Sequence, residues 1–465
     1  MRTVHVDVAV IGAGSAGLPA YRAAKAEGAS VVLIEGGVYG TTCARVGCMP
    51  SKLLIAAAEA AHSVSRAAAF GVHVDGRVRI DGHEVMQRVR RERDRFVGFV
   101  VDSVERIPDE DRLLGHARFI DDGLLQVGDH TNVLARSVVI ATGSSPVIPE
   151  KYHALGDRVV VNDDVFEWTD LPAKVAVVGT GVIGLELGQA LSRLGVEVTV
   201  IAPRGRVGPL TDPAIVDYAR DVFGEAFRFE SRSEVESAVR LEDGARLRYR
   251  REDGVLVDDV FDYVLVAAGR RPNIAGLDLH NTSLELDGDG MPVYDPHTLQ
   301  AGACPVFIAG DANGALMLLH EAADEGRAAG INAARFPRVV ALDRRAPISV
   351  VFTDPGIAVV GKRYADIAAD SFVVGEVNFE DQGRSRVMLR NVGLMHVYVD
   401  KVSRRLVGAE WTGPDAEHIA HLLAWSVQMN LSVDTVLDMA FYHPVVEEGL
   451  RTALRDAVAK LAQTR

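Results

Sequence analysis

The residues with the clearest capacity for chemistry lie in Gly40-Thr41-Thr42-Cys43-Ala44-Arg45-Val46-Gly47-Cys48-Met49-Pro50-Ser51-Lys52, which holds two of the three cysteines of the chain. Two thiols five positions apart can cycle between dithiol and disulfide. Along a regular helix five residues rise about 7.5 Å, beyond the roughly 7 Å Cα separation that a disulfide spans. A bridge therefore needs a break in the helix, and Gly47 and Pro50 are residue types expected at one. An exposed, somewhat strained bridge is also the readily reduced kind. The alternative is a pair of reduced, buried thiols packed as small hydrophobes, the usual state in a cytosolic protein. Taken alone, types and spacing leave both open.

The elements around this stretch carry the next signal. Val6 to Ile11 is a short apolar run, followed by Gly12-Ala13-Gly14-Ser15-Ala16-Gly17, a helical stretch from Leu18 to Glu27, and a second buried strand from Ser30 to Ile34 that ends at Glu35. Together these form a dinucleotide-binding βαβ unit. Glycines permit a tight turn and close approach of a pyrophosphate to a helix N-terminus, and the acid accepts ribose hydroxyls. Beyond the thiols, Leu53 to Ala69 and Val85 to Glu105 read as helices. Arginines 88, 90, 91 and 93 in the second are interleaved with acids, which marks a solvated face rather than a nucleic-acid surface.

The first pattern then recurs. Ser137 to Ile140 is a strand leading into the turn Ala141-Thr142-Gly143-Ser144-Ser145-Pro146; Val175 to Val178 leads into Gly179-Thr180-Gly181-Val182-Ile183-Gly184, a helix from Leu185 to Leu194 and a strand from Val196 to Ile201. The chain thus holds two dinucleotide sites. In the second, Ala202 stands where the ribose acid would be, followed by Arg204 and Arg206. An arginine there accommodates a 2′-phosphate, or NAD binds without the acid. Tyr263 to Val266 ends at Ala267-Ala268-Gly269, echoing the turn after Ile140, and Val306 to Asp311 is a buried strand with an acid at its tip. Cys304, with no cysteine near it, reads as structural. From Ser349 onward strands alternate with two helical stretches near 416–429 and 445–462, an α+β third domain without a cofactor signature that ends near Phe441-Tyr442-His443-Pro444-Val445-Val446-Glu447-Glu448.

A length of 465 residues exceeds one core and suits about three domains. A hydrophobic share of 48% with 44 glycines places the chain among glycine-rich α/β proteins. A net charge of −14 argues against nucleic-acid or anionic-membrane partners. No apolar run approaches a membrane span and the N-terminus enters a strand directly, so a soluble, cytoplasmic protein is expected. Three cysteines do not make a secreted disulfide framework, so any bridge is catalytic.

These motifs, in this order, resemble the flavoprotein pyridine nucleotide-disulfide oxidoreductases, and among them the dihydrolipoamide dehydrogenase branch. The resemblance covers essentially the whole chain and implies an FAD-binding domain from 1–145 and 270–340, an NAD(P)-binding domain from 146–269 and a dimerisation domain from 341–465. It implies an α/β fold with two Rossmann-like domains plus an α+β domain, and a homodimer whose active site is shared between subunits. FAD would lie on Gly12, Gly14, Gly17, Glu35, Thr42, Lys52, Asp311 and His320; the nicotinamide nucleotide on Gly179, Gly181, Gly184, Glu186, Ala202, Arg204 and Gly269. No residue is assigned to a metal.

By the same resemblance Cys48 faces the flavin, Cys43 exchanges with a small or protein-bound lipoyl group, His443 is the acid/base oriented by Glu448, and Lys52 and Glu186 stand beside the flavin N5. Dihydrolipoamide is then oxidised through the Cys43–Cys48 disulfide, with NAD⁺ as final acceptor. Physical chemistry supports each role. Only a thiolate attacks a disulfide, so a base must take the proton, and histidine titrates in the right range. A carboxylate on its other nitrogen fixes the tautomer, and a lysine beside a reducible flavin stabilises developing negative charge.

Three departures bear on substrate. Arg45 lies between the thiols, Val445 replaces the usual threonine after His443-Pro444, and Ala202 replaces the ribose acid. Arg45 favours an acidic disulfide or lowers a thiol pKa. An NADPH-linked reductase of another disulfide or oxidised sulfur species is the second expectation.

Overall fold

An apolar run without polar alternation suits a strand covered on both faces, and Val8, Ala9, Val10 and Ile11 at the end of β1 (Arg2–Ile11) are buried accordingly. The computed structural model describes residues 1–463, which pack as two units. In the first (Met1–Leu53, Gln87–Val147, Gly269–Arg344) β1 pairs in parallel with β2 (Val31–Glu35) on one side and with the strand Thr131–Ile140 on the other. Strand order therefore reverses at Gly12, the position where open α/β sheets hold ligands. Strand Val306–Ile308 adds in parallel beside Thr131–Ile140.

Helix α1 (Gly17–Ala26) follows the turn, and the helix Leu319–Arg335 crosses it closely. A Cβ on Gly326 or Gly330 would collide with the Ala16 or Ala20 backbone, so only glycine permits this crossing beside the turn.

The thiol stretch forms two helices rather than one. α2 (Thr42–Val46) stops at Gly47, whose φ of −124° and ψ of −112° are not helical, and α3 (Cys48–Arg66) begins at the next residue. The expected break is thus at Gly47. α3 starts five residues before the expected Leu53, because Pro50 falls within its first turn, where the missing N–H has no helical partner to lose. α4 (Gly82–Glu105) follows.

The second unit (Leu54–Met86, Ile148–Ala268, Arg345–Arg465) repeats the arrangement. Its five-stranded parallel sheet centres on Lys174–Val178, flanked by Glu197–Ala202 and Tyr263–Val266, and Gly179 leaves the sheet at the corresponding reversal. An antiparallel three-stranded sheet over 234–261 was not foreseen from sequence. Its strands carry many charges, and the hydrophobic side chains they bury are Val235, Ala245, Leu247, Tyr249 and Phe261, too few to stand out from a solvated loop. The C-terminal part is a five-stranded antiparallel sheet packed with the helices Ala416–Gln428 and Glu448–Gln463, with Trp411 fully buried in the shared core.

Buried carboxylates tie two parts of this unit together. Glu410, fully buried, accepts from Thr211 Oγ1 (2.6 Å), the Asp212 N–H (3.0 Å) and the Tyr364 N–H (2.7 Å). His396 lies 2.6 Å from Asp212 and 2.9 Å from Glu376. Burial alone would lower the His396 pKa, but the bonds to Asp212 and Glu376 outweigh it and the net shift is upward from 6.5. A raised histidine pKa stabilises fully below the unfolded value and stops doing so as pH rises through the folded one. His396→Phe is therefore expected to cost about 3–5 kcal/mol near pH 6, as for other broken buried pairs, and less at pH 9. Thermal midpoints of both proteins at the two pH values check this; a gap that widens at pH 9 contradicts it.

Candidate active site

The first glycine turn has the shape of a phosphate cradle. Gly12, at φ +107°, presses against the Ala141 carbonyl, and a Cβ on Gly17 would collide with the Gly12 carbonyl. Gly14 by contrast faces open space, with nothing within 4 Å of a Cβ position. Glu35, at the end of β2, accepts from the Ala13 N–H and the Gly37 N–H, each at 2.8 Å. The second turn repeats these features, with Gly179 (φ +112°) against the Ala267 carbonyl, Gly184 against Gly179, and Gly181 open. Gly269 is likewise left-handed at φ +122°.

In the thiol stretch Thr41, at φ 59°, caps α2 by accepting from the Ala44 N–H (3.2 Å), whereas Thr42 is exposed as the first helical residue. Cys43 and Cys48 are thiols, the first partly buried and the second exposed, and they are hydrogen-bonded to each other. That bond, then burial, then the charge of Cys48 push the Cys43 thiol well above the ordinary range; the Cys48 backbone and the Lys52 cation pull the other way. A pair of thiols that gives up its first proton keeps the other shared between the two sulfurs, and resists losing that second one. Lys52 also donates to Ser51 Oγ (3.3 Å).

Asp311 lies in a short turn, Gly310–Asn313, and accepts from Ser144 Oγ at 2.7 Å; Arg270 in turn donates to Ser144 Oγ (2.8 Å) and its carbonyl (2.7 Å). Glu325, 1% exposed, holds the same turn by accepting from the Gly310 N–H (2.8 Å) and Asn313 Nδ2 (2.6 Å), with Arg344 at 2.8 Å on its other oxygen. Ser144, Arg270 and Glu325 were missed from sequence. The only available signals were the polar turn after Ile140 and an acid next to Gly326. His320 keeps its ring half exposed while Nε2 is buried without a hydrogen-bond partner, and Thr142 Oγ1 is buried and unpaired too. Open glycine backbone, a strand-end acid and orphaned polar atoms suit a dinucleotide-length cofactor such as FAD.

In the second unit Glu186 is 4% exposed and accepts from the Phe352 N–H (3.0 Å). Ala202 is buried at its strand end, opposite Ser231, whose Oγ is buried and unpaired. Arg204 and Arg206 project outward from a loop clasped by Thr180, which accepts the Gly208 N–H at 2.8 Å and donates to the Arg206 carbonyl. Arg220 anchors the loop through the Gly205 carbonyl (3.1 Å).

His443 is 81% exposed, with Nδ1 3.1 Å from both oxygens of Glu448. An ionised carboxylate only accepts, so Nδ1 carries the hydrogen, and in the neutral imidazole Nε2 is left as the acceptor. The bond to His443 is the main reason the Glu448 pKa is lowered from 4.5. Tyr442 beside His443 in the chain, and Trp425 and Met429 at the end of the helix Ala416–Gln428, expose apolar surface. Among the described residues no helix is long and apolar enough to cross a membrane.

Residues 6–326 match the family described as pyridine nucleotide-disulphide oxidoreductase, and residues 348–454 match its dimerisation domain. Dihydrolipoyl dehydrogenase 2 of Haloarcula marismortui is 30% identical over 100% of this chain and 99% of the relative. Dihydrolipoyl dehydrogenase of Halobacterium salinarum is 31% identical over 98% and 97%. Among solved structures, an HOCl-induced flavoprotein disulfide reductase from Escherichia coli superposes with a TM-score of 0.80 over 97% of this chain and 99% of that one, at 23% identity, a likeness of fold.

Proposed function

The chain belongs to the pyridine nucleotide-disulphide oxidoreductase family and is a flavoprotein disulfide oxidoreductase using FAD and NAD(P), and from that premise we propose that it oxidises dihydrolipoamide with NAD⁺ through Cys43 and Cys48. The observation that carries the reading is the hydrogen-bonded thiol pair placed across the helix break at Gly47. In the oxidised enzyme one substrate sulfur attacks Cys43 and releases the Cys48 sulfur. The second substrate sulfur then displaces Cys43, leaving lipoamide and two cysteine sulfurs. His443 Nε2 accepts the proton of the attacking thiol, with Glu448 stabilising the imidazolium through Nδ1. Bound flavin supplies the two-electron link between thiols and nicotinamide. Lys52 would lie beside it and favours the thiolate.

FAD is held by 1–145 with 270–340, the nicotinamide nucleotide by 146–269, and 341–465 makes a homodimer in a cytoplasmic enzyme. Trp425 (63% exposed), Met429 (69%) and Tyr442 (80%) are the apolar area a second copy would cover. His443 then serves the thiol pair of the other protomer.

A second reading, an NADPH-linked reductase of another disulfide, is favoured by Ala202 in place of the acid and by the outward Arg204. Steady-state rates with lipoamide and glutathione disulfide, each with both nicotinamides at limiting concentration, separate the two. Lipoamide turnover with a strong NADH preference supports the first and removes the second. Turnover of glutathione disulfide with NADPH, and none of lipoamide, reverses the assignment.

A further inference from the structure

Arg45 follows Cys43 by two positions, and its stem is held by a specific gap. A Cβ on Gly40, at φ +127°, would lie 2.9 Å from Arg45 Cδ and 2.9 Å from Val97 Cγ1 of α4. Glycine at position 40 therefore leaves room for the arginine to lie between the loop and α4. The guanidinium makes no hydrogen bond or ion pair among the described residues. The surrounding sequence offers it none nearby in the chain: from Gly36 to Ala58 there is no aspartate or glutamate, while Arg45 and Lys52 are both cations, in a chain of net charge −14.

An unpaired, partly buried cation two residues from the exchanging sulfur either tunes the thiol or meets the substrate. Lys52 is a cation that lowers the Cys43 pKa, whereas the Arg45 stem lies beside Gly40 and Val97, a placement that suits contact with substrate. We propose that Arg45 is a specificity-determining residue that selects, among disulfides and dithiols, those carrying an anionic group, a carboxylate or phosphate, over their neutral counterparts. This rests on the dithiol–disulfide reading above. Guanidinium suits the role because its planar donors match a carboxylate or phosphate in two parallel bonds.

Lipoate and lipoamide share one dithiolane ring and chain and differ only in the carboxylate, so they isolate the charge. The ratio of kcat/KM for lipoate to that for lipoamide is expected to fall about five- to tenfold in Arg45→Leu and to be largely kept in Arg45→Lys. In the wild-type enzyme, raising the salt concentration should depress lipoate turnover more than lipoamide turnover, a check that needs no variant. A ratio unmoved by Arg45→Leu, or by salt where that variant does not fold, overturns the proposal while leaving the dithiol reading intact. A wild-type enzyme that turns over neither compound overturns both.

Discussion

Cys48→Ser is expected to abolish lipoamide turnover while leaving the fold and the bound flavin in place. Serine is close to cysteine in size, and Cys48 is exposed at the start of α3, so packing changes little. The chemistry, however, is removed entirely. A hydroxyl neither forms a disulfide with Cys43 nor ionises near neutral pH, and only a thiolate exchanges. The Cys43 thiol should also change, since its hydrogen bond to Cys48 is the first cause of its raised pKa. In Cys48→Ser it becomes a more acidic thiol, still raised by its burial, seen as alkylation by iodoacetamide that begins at lower pH. Normal lipoamide turnover by this variant would sink the exchange scheme.

His443→Gln is expected to lower dihydrolipoamide oxidation by about 10²- to 10⁴-fold, the usual worth of a positioned acid/base. Glutamine keeps a donor for Glu448 but has no group that takes a proton at Nε2. The loss should fall on the dithiol half of the reaction, because nicotinamide binds on the opposite signature and needs no base there. Stopped-flow traces of the two halves separate them. A loss below fivefold, or one shared equally by both halves, would remove His443 from its role. Glu448→Gln should cost less, since the lowered Glu448 pKa comes first from the His443 bond and orientation rather than proton capacity is what it supplies.

Much of this was legible from residue types alone. The paired glycine turns, the α/β class with two Rossmann-like domains and the helix break at Gly47 follow from steric demands that only certain residues meet: positive φ at Gly12 and Gly179, and close backbone approach at Gly17 and Gly184. Residues whose work depends on distant partners were not legible. Glu325 acts on Gly310 and Asn313, Ser144 on Asp311, and His396 on Asp212, across 15, 167 and 184 positions. Nothing in a local window marks such acids or hydroxyls as different from solvated ones. The sheet over 234–261 escaped because two of its three strands bury a single residue each, Val235 and Phe261, among many charges, and so lack the alternation that marks a strand. His443 was found through its Pro444 and Glu448 neighbours, and its exposure suits the proposed service to a second protomer.

The central claim is that electrons pass between nicotinamide and the Cys43–Cys48 pair. Holoenzyme oxidised with excess lipoamide, desalted, then given one equivalent of NADH or NADPH without oxygen and alkylated at once, should gain two labels. Peptide mapping should place them on Cys43 and Cys48 and not on Cys304. Nicotinamide oxidised without new labels on those two residues, or labels present equally before it is added, would contradict the account.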